Sequence, residues 1–235
     1  MLKNIKFFLK NFFFKFGWII KKRYNNKSYT NQKPTIKILE QMNKCNGIVH
    51  MGAHRGSEAA IYDWFNKKTI WIEADPIIFT DLQINISQFI NQKAYNFILY
   101  DKDDELINFN ISNNDSASSS IFRLGEKSID AKLKIIDTLK IKTKTFDKFV
   151  EENNINIDQY NFWILDIQGA ELLALKGAKE SLKKCQSLLI EVSKENYYIG
   201  GATWEELKRF LNSNNFYETS VPTTSHEDVL FVKSS

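Results

Sequence analysis

Short apolar runs alternate with longer amphipathic segments along the chain after residue 45. The apolar runs predict strands, and the segments with a helical apolar period predict helices. Strands are expected near 47–51, 69–74, 95–100, 161–166, 186–192, 216–221 and 228–233, and helices near 57–66, 76–90, 145–153, 170–183 and 203–213. Strand and helix in alternation are typical of an α/β domain with a mostly parallel sheet.

Two regions interrupt this alternation. Only a Pro222–His226 turn separates the last two predicted strands, so they are expected to pair as an antiparallel hairpin at the sheet edge. Residues 100–143 are irregular, with an alternating stretch at 105–111 followed by a polar stretch at 112–120. We interpret them as an inserted hairpin and a loop over the functional site.

Residues 1–44 differ from the rest of the chain in charge. They carry 11 Lys or Arg and a single acid, Glu40, whereas the remaining residues have a net negative charge. At helical spacing, large apolar residues of this segment form one stripe opposite several lysines: Ile5, Phe8, Leu9, Phe12, Phe16, Ile19 and Ile20. The predicted organisation is a basic amphipathic arm, 1–44, and one domain, 45–235.

The apolar stripe needs a cover, which is either an anionic membrane surface or a second protomer contacted through residues 1–23. Lys15 interrupts the apolar stretch, so it is too short to span a bilayer, and a signal-peptide cleavage site is lacking. Cys45 and Cys185 form neither a disulfide framework nor a metal-ligand spacing. We therefore expect a cytoplasmic protein, with peripheral membrane attachment as an option, and no nucleic-acid partner because the domain is acidic.

A glycine turn follows the first predicted strand. The loop Gly52-Ala53-His54-Arg55-Gly56 precedes a helix, and Ser57 is a suitable cap for that helix. Glu73 ends the next strand, where its carboxylate can accept hydrogen bonds from a ribose. Two glycines suit S-adenosylmethionine better than a dinucleotide, although glycine turns before helices are common in any α/β fold.

Further acids end the later strands. Asp166 is a candidate catalytic base or hydroxyl anchor, or alternatively a cap for the following helix. The helix dipole alone can explain Glu171, and Glu191 is expected to face the same crevice. Asp101 is a candidate contact for the adenine amine. Convergent acids can bind sugar hydroxyls or a divalent metal, and we assign no metal ligands.

Four segments together resemble the FkbM-type methyltransferases: GAHRG at 52–56, WIEADP at 71–76, LDIQGAE at 165–171 with LKGA at 175–178, and EVS at 191–193 with Tyr198 and Gly200. The resemblance covers about residues 46–232. It implies a class I methyltransferase fold, a Rossmann-like sheet that is mostly parallel and ends in an antiparallel C-terminal hairpin. It also implies S-adenosylmethionine as cofactor and methylation of a hydroxyl oxygen, with a carbohydrate or glycan-linked acceptor as our expectation.

The resemblance implies a set of cofactor-binding positions in this sequence. It also implies that Glu171 is a candidate site residue, together with Asp166 and Glu191. The cofactor-binding candidates are His50, Gly52, Ala53, Gly56, Glu73, Ala74, Asp101 and Asp166. The family usually has an acidic residue where this chain has His50, so this substitution is expected to affect cofactor affinity. Two alternatives stay open: a noncatalytic Rossmann-like binding module recruited through the basic arm, and a nicotinamide-dependent oxidoreductase.

Overall fold

The structure is a computed structural model that describes residues 35–130, 132–195 and 197–234. The amphipathic helix predicted from residues 5–20 lies outside the described residues. Within the described ranges, no helix combines the length and the apolarity needed to cross a membrane.

Seven strands of the described chain form the central sheet, and shorter strands form two smaller sheets. The strands are β1 Gly47–Met51, β2 Lys68–Glu73, β3 Gln92–Asn96, β4 Ile98–Leu99, β5 Leu106–Ser112, β6 Arg123–Leu124, β7 Ile135–Lys144, β8 Phe162–Leu165, β9 Ser187–Ser193, β10 Tyr198–Ile199, β11 Phe216–Glu218 and β12 His226–Lys233. The order across the central sheet is β11-β12-β9-β8-β1-β2-β3.

The helices cover both faces of this sheet. They are α1 Ile36–Lys44, α2 Ala59–Trp64, α3 Pro76–Ile86, α4 Glu126–Asp130, α5 Phe146–Glu152, α6 Glu171–Lys176, α7 Lys179–Leu182 and α8 Trp204–Ser213, with a 3₁₀ turn at Ile157–Gln159. One core layer contains Val49 and Met51, and the layer on the other face contains Ile48. Successive side chains of β1 therefore enter opposite layers, as expected for a strand buried on both faces.

The reversed sheet edge is confirmed. Strand β12 runs antiparallel to β11 and to β9, whereas β9, β8, β1, β2 and β3 pair in parallel. This mostly parallel sheet with an antiparallel C-terminal hairpin is the class I methyltransferase fold. Because parallel strands align their carboxyl ends, the loops after β1, β2, β8 and β9 meet at one edge.

The inserted hairpin is present between residues 100 and 144. Strand β5 pairs antiparallel with β7, and β4 pairs with the other edge of β7. The long strand β7 was absent from the predicted strands, and the stretch 112–120 forms a loop between β5 and β6.

Several element boundaries differ from the expectation. The helix expected at 170–183 is divided into α6 and α7 at Gly177, where a Cβ atom would lie 2.0 Å from the Tyr100 carbonyl oxygen. The strand expected at 95–100 is divided into β3 and β4. The prediction that Ser57 caps α2 was wrong, because the N-cap is Glu58 and no side chain caps this helix.

Helix α1 lies within residues 1–44, which were predicted to form the basic arm. Thr35 caps it, and Met42 is buried in the core layer that also contains Cys45 and Ile48. The compact unit of the domain accordingly begins at residue 35. The two cysteines, Cys45 and Cys185, are both buried and free.

Candidate active site

The loop after β1 approaches the backbone of β8 at Gly52. The amides of Gly52 and Ala53 both donate to the Ile72 carbonyl oxygen, at 2.9 and 3.0 Å. Gly52 has a φ of +84°, and a Cβ atom there would lie 1.8 Å from the Asp166 carbonyl oxygen. Glycine is therefore required at position 52 both for backbone conformation and for space.

A Gly52→Ala substitution is expected to destabilise the fold more than Gly56→Ala. Both glycines have positive φ, which costs a non-glycine residue about 1–3 kcal/mol. At Gly56, however, the nearest atom to an added Cβ is a side-chain methyl of Leu82 that can move. Denaturant unfolding of the two variants measures the difference, and equal losses would contradict the backbone contact between Gly52 and Asp166.

Glu73 connects the two loops at this edge. It is buried, and its carboxylate accepts from the backbone amides of His54 at 2.7 Å and Asp75 at 2.8 Å. Burial raises the pKa of Glu73, and these two amide bonds act in the opposite direction. Each carboxylate oxygen has a second lone pair, so Glu73 retains capacity for two ribose hydroxyls.

His50 lies in the core beneath the glycine loop. Its Nδ1 is 3.0 Å from the Tyr62 hydroxyl oxygen, and its ring stacks on Trp71 with the centroids 4.9 Å apart. Burial lowers the pKa of His50 and favours the neutral ring. These contacts give His50 a packing role that the sequence pattern had not indicated.

Two further cofactor candidates, Ala74 and Asp101, follow β2 and β4. Ala74 follows Glu73 directly, and it packs against the small cluster of Ile98, Phe109 and Ile111. Asp101 is half-buried in the bend that follows β4.

Asp166 follows β8 and forms a network with Glu191 of β9. Gln168 Nε2 donates to Asp166 Oδ1 and also to Glu191 Oε2, at 2.7 Å from the latter, and the Tyr198 hydroxyl donates to Gln168 Oε1. Asp166 is closely surrounded by protein but keeps part of its surface open to solvent. The N-cap of α6 is Ala170, so Asp166 is not the cap of that helix.

Burial raises the pKa values of both network carboxyls. The pKa of Asp166 is well above its usual range because of burial and then because Glu191 lies beside it. Burial raises the pKa of Glu191 to about 8, with a smaller contribution from Asp228 of β12, while the hydrogen bond from Asp166 acts in the opposite direction. Two adjacent carboxyls in such an environment share a proton near neutral pH.

Glu171 is buried in the first turn of α6. Its Oε1 accepts from the amides of Ile167 at 3.0 Å and Gly169 at 3.2 Å, which secures the turn between β8 and α6. Burial raises its pKa to about 7, although these amide bonds lower it. Glu171 therefore shapes the loop that carries Gln168, whose φ of +56° is unusual for a non-glycine residue.

Sequence reasoning missed Gln168, Tyr198, His226 and Asp228 as members of this cluster. His226 Nε2 is 2.8 Å from Glu191 Oε1, and Asp228 is the register partner of Glu191 in the β9–β12 pair. Gln168 and Tyr198 belong to the segments that carry the family resemblance, which was an available signal. The positions of His226 and Asp228 depend on the register of the reversed strand.

The 112–120 loop contacts the loops after β1 and β2 on one side and the loop after β8 on the other. Arg55 forms an ion pair with Asp115, whose carbonyl oxygen is 2.8 Å from His54 Nε2. Ser116 donates to Asp75 at 2.6 Å. On the opposite side, the Ser120 hydroxyl donates to the Gln168 carbonyl oxygen at 2.7 Å.

This arrangement fits S-adenosylmethionine at the carboxyl edge of the sheet. Gly52 lets the loop lie directly against the Asp166 peptide, Glu73 offers ribose acceptors on one side of that loop, and the Asp166 network lies on the other side. Among the described residues, no group of three or more His, Cys, Asp or Glu side chains is arranged to hold a metal ion.

The model of the methyltransferase FkbM domain matches residues 50–217, which is most of the chain. The chain belongs to this methyltransferase family. Membership makes it an S-adenosylmethionine-dependent methyltransferase, as the four sequence segments had implied. A search of the curated proteins finds no match. His226 and Asp228 lie beyond the span that matches the FkbM domain.

Solved structures similar to this FkbM-domain protein include two methyltransferases. Magnesium protoporphyrin IX methyltransferase from Synechocystis PCC 6803, with bound SAM, is 11% identical, with 84% of this chain and 74% of that chain covered and a TM-score of 0.44. A TehB-like SAM-dependent methyltransferase from Corynebacterium glutamicum is 9% identical, with coverage of 84% and 86% and a TM-score of 0.42.

Proposed function

We propose that this FkbM-domain protein transfers a methyl group from S-adenosylmethionine to a hydroxyl oxygen, and that the acceptor is a carbohydrate or a glycan-linked molecule. The observation that carries the proposal is Asp166. It follows a central strand, keeps part of its surface open to solvent, and has a carboxyl with a raised pKa. Such a carboxylate accepts a hydroxyl proton more readily than an ordinary aspartate does.

The roles of the residues follow from the needs of the reaction. S-adenosylmethionine supplies the methyl group, activated by its sulfonium. Glu73 would hold the ribose, and Gly52 would keep the glycine loop close to the β8 backbone, so that the cofactor lies between Glu73 and Asp166. Asp166 would orient the acceptor hydroxyl and take its proton as the oxygen attacks, which combines positioning with general base catalysis.

The chemistry of the crevice favours a neutral, hydroxyl-rich acceptor. Asp166, Glu191 and Asp228 present hydrogen-bond acceptors on adjacent strands, and Gln168 adds an amide between two of them. Sugar hydroxyls donate to carboxylates, whereas an anionic acceptor would be repelled by this cluster.

A mass-spectrometric search is the direct test. The protein is incubated with S-adenosylmethionine and a panel of glycans, and products are examined for the added mass of a methyl group in place of a hydrogen. Product on a hydroxyl oxygen, located by fragmentation, supports the proposal. A product methylated on nitrogen or carbon, or no product from any hydroxyl acceptor, contradicts it.

Turnover is expected to rise as the pH increases from neutral to above about 8, because the proton shared by the Asp166–Glu191 pair resides on Asp166 part of the time, and its loss leaves Asp166 ionised in every molecule. The sign follows from the raised pKa of both carboxyls. Initial rates measured across this range, at saturating cofactor, check the expectation. A rate that is flat over the whole range would exclude the pair as the base.

A noncatalytic binding module is the second candidate. The observation that favours it is His50, which replaces the acidic residue usual in the family and packs in the core. Calorimetric titration distinguishes the candidates, since a module without cofactor affinity gives no heat with S-adenosylmethionine. A parallel titration with nicotinamide dinucleotides tests the oxidoreductase alternative.

Deletion of residues 1–23 is expected to release the protein from anionic vesicles while leaving cofactor affinity unchanged. Each lysine near such a surface contributes about 1 kcal/mol, so binding of the intact chain should weaken with added salt. Liposome flotation at low and high salt measures this. An intact chain that stays unbound at low salt would reject the membrane, and a dimer lost on deletion would identify the second protomer instead.

A further inference from the structure

His226 joins the active site from the reversed strand. It begins β12, where it is the register partner of Ser193, and Asp228 two residues later is the partner of Glu191. The antiparallel direction of β12 brings the start of this strand to the edge where β8 and β9 end. His226 therefore lies beside the carboxyl network, although more than 50 residues separate it from Asp166 in sequence.

Both ring nitrogens of His226 have partners. Nε2 is 2.8 Å from Glu191 Oε1, and Nδ1 is 2.6 Å from the Ser193 hydroxyl oxygen. The Tyr197 ring packs on the imidazole with the centroids 4.6 Å apart. The His226 side chain is 27% exposed, so it can exchange protons with water while its orientation is held.

The neighbouring carboxyls share a proton, and His226 can accept it. Asp166 and Glu191 are bridged by Gln168 and share a proton near neutral pH. A carboxyl that holds this proton cannot act as a base. Turnover therefore requires that the proton move away from Asp166 before or during methyl transfer, and Glu191 is the group that connects Asp166 with His226.

We propose that Asp166, Glu191 and His226 form a proton path that carries the acceptor's hydroxyl proton from the methyl-transfer site to solvent, with His226 as the terminal positioning residue. This inference rests on the hydroxyl methylation proposed above. His226 has no contact with the acceptor in this scheme and acts through Glu191.

The proton balance is as follows. The Asp166–Glu191 pair begins with one proton on Glu191, and His226 is neutral with its Nε2 lone pair facing Glu191. As the acceptor oxygen bonds to the methyl carbon, the carbon–sulfur electron pair returns to sulfur and the hydroxyl proton passes to Asp166. The Glu191 proton moves to His226 Nε2, and the Asp166 proton replaces it on Glu191. His226 then returns one proton to water.

Ser193 suits both states of the imidazole, because a hydroxyl can accept from Nδ1–H in the neutral and in the charged ring. The groups that face His226 are Glu191, Asp166 and Glu171 on one side, Asp228 on its own strand, and the Tyr197 ring. Burial lowers the pKa of His226, while Asp166, Glu171 and Asp228 raise it. The neutral ring is thus available as an acceptor at the pH at which Asp166 works as base.

The kinetic test compares two substitutions at His226 in the full chain. In His226→Gln, the amide can still donate to Glu191 but cannot accept its proton, so we expect kcat to fall about 100-fold while the KM for S-adenosylmethionine is unchanged. In His226→Ala, added imidazole should restore turnover in proportion to its neutral form. Ser225→Ala, in the same turn, is the matched control with native kcat.

The outcomes separate the roles. Native kcat in His226→Gln would overturn the proton path, and a loss that imidazole does not restore in a folded, cofactor-binding protein would show that the histidine only supports the structure. Restored turnover supports the path.

A second measurement does not depend on activity. The imidazole resonances of His226, followed by NMR in the cofactor-bound protein, should titrate in two steps, its own protonation and that of the carboxyl pair. Asp166→Asn should shift the carboxyl step to lower pH, because Glu191 then titrates without a negative neighbour, although the substitution leaves the contacts of His226 with Glu191 and Ser193 in place. A single step in the unsubstituted protein, or a carboxyl step that Asp166→Asn does not move, would overturn the path. Two steps in a protein that methylates no hydroxyl would retain the coupled network and reject only the proposed acceptor.

Discussion

The Asp166→Asn protein is expected to bind S-adenosylmethionine with native affinity and to turn over about 10²–10⁴-fold more slowly, which is the usual contribution of a general base. Asparagine has nearly the same shape as aspartate, and its amide oxygen can still accept the hydrogen bond from Gln168. It cannot take a proton. Because the substitution also removes one of two adjacent buried carboxyls, the fold should be no less stable.

Single-turnover kinetics with the identified acceptor measures this effect, and thermal unfolding checks the fold. The exposed Asp158, which pairs with Lys184 at the opposite end of the sheet, supplies the control substitution Asp158→Asn. Native turnover in Asp166→Asn on the true acceptor would show that the carboxylate is structural and that another group takes the proton.

The Glu73→Ala protein is expected to bind the cofactor at least 10-fold more weakly. Two ribose hydrogen bonds to a carboxylate are lost, each worth about 1.5–3 kcal/mol, and 1.4 kcal/mol corresponds to about a factor of 10 in Kd. The loss also removes the bonds from Glu73 to the amides of His54 and Asp75, so the glycine loop itself is less well held.

Isothermal titration with S-adenosylmethionine and with its demethylated product measures the change in Kd. Glu205→Ala, at an exposed position of α8, is the matched control. Glu73→Gln separates the contribution of the ribose hydrogen bonds from that of the bonds to the loop amides, because it keeps the size of the side chain but replaces one acceptor oxygen by a donor. Full affinity in Glu73→Ala would reject the ribose assignment.

The reversed sheet edge was predictable because a five-residue turn with Pro222 leaves no room for a crossover helix. Strand β7 was not predicted, although Leu139, Ile141 and Thr143 alternate with the exposed Lys140 and Lys142. The charged residues made this segment resemble a solvated loop. Because β7 pairs with β5, one face of β7 is packed although the strand is polar.

The candidate site residues also differ in how far the sequence predicts their positions. The proximity of Asp166 and Glu191 could be predicted, because acids at the ends of parallel strands meet at one edge of the sheet. The sequence position of His50 suggested a loop contact, yet alternation along β1 turns its ring into the layer of Ile48, opposite the layer of Met51. The contribution of His226 depends on strand register, which a single sequence does not determine.

The close approach of Gly52 to the Asp166 peptide has a consequence for engineering. Any change that moves the glycine loop to admit a different cofactor also displaces the backbone that carries the base, so the two properties cannot be redesigned one at a time. Position 228 has no such constraint, because the Asp228 side chain is exposed near the start of the reversed strand. Libraries aimed at new acceptors are best centred on that strand.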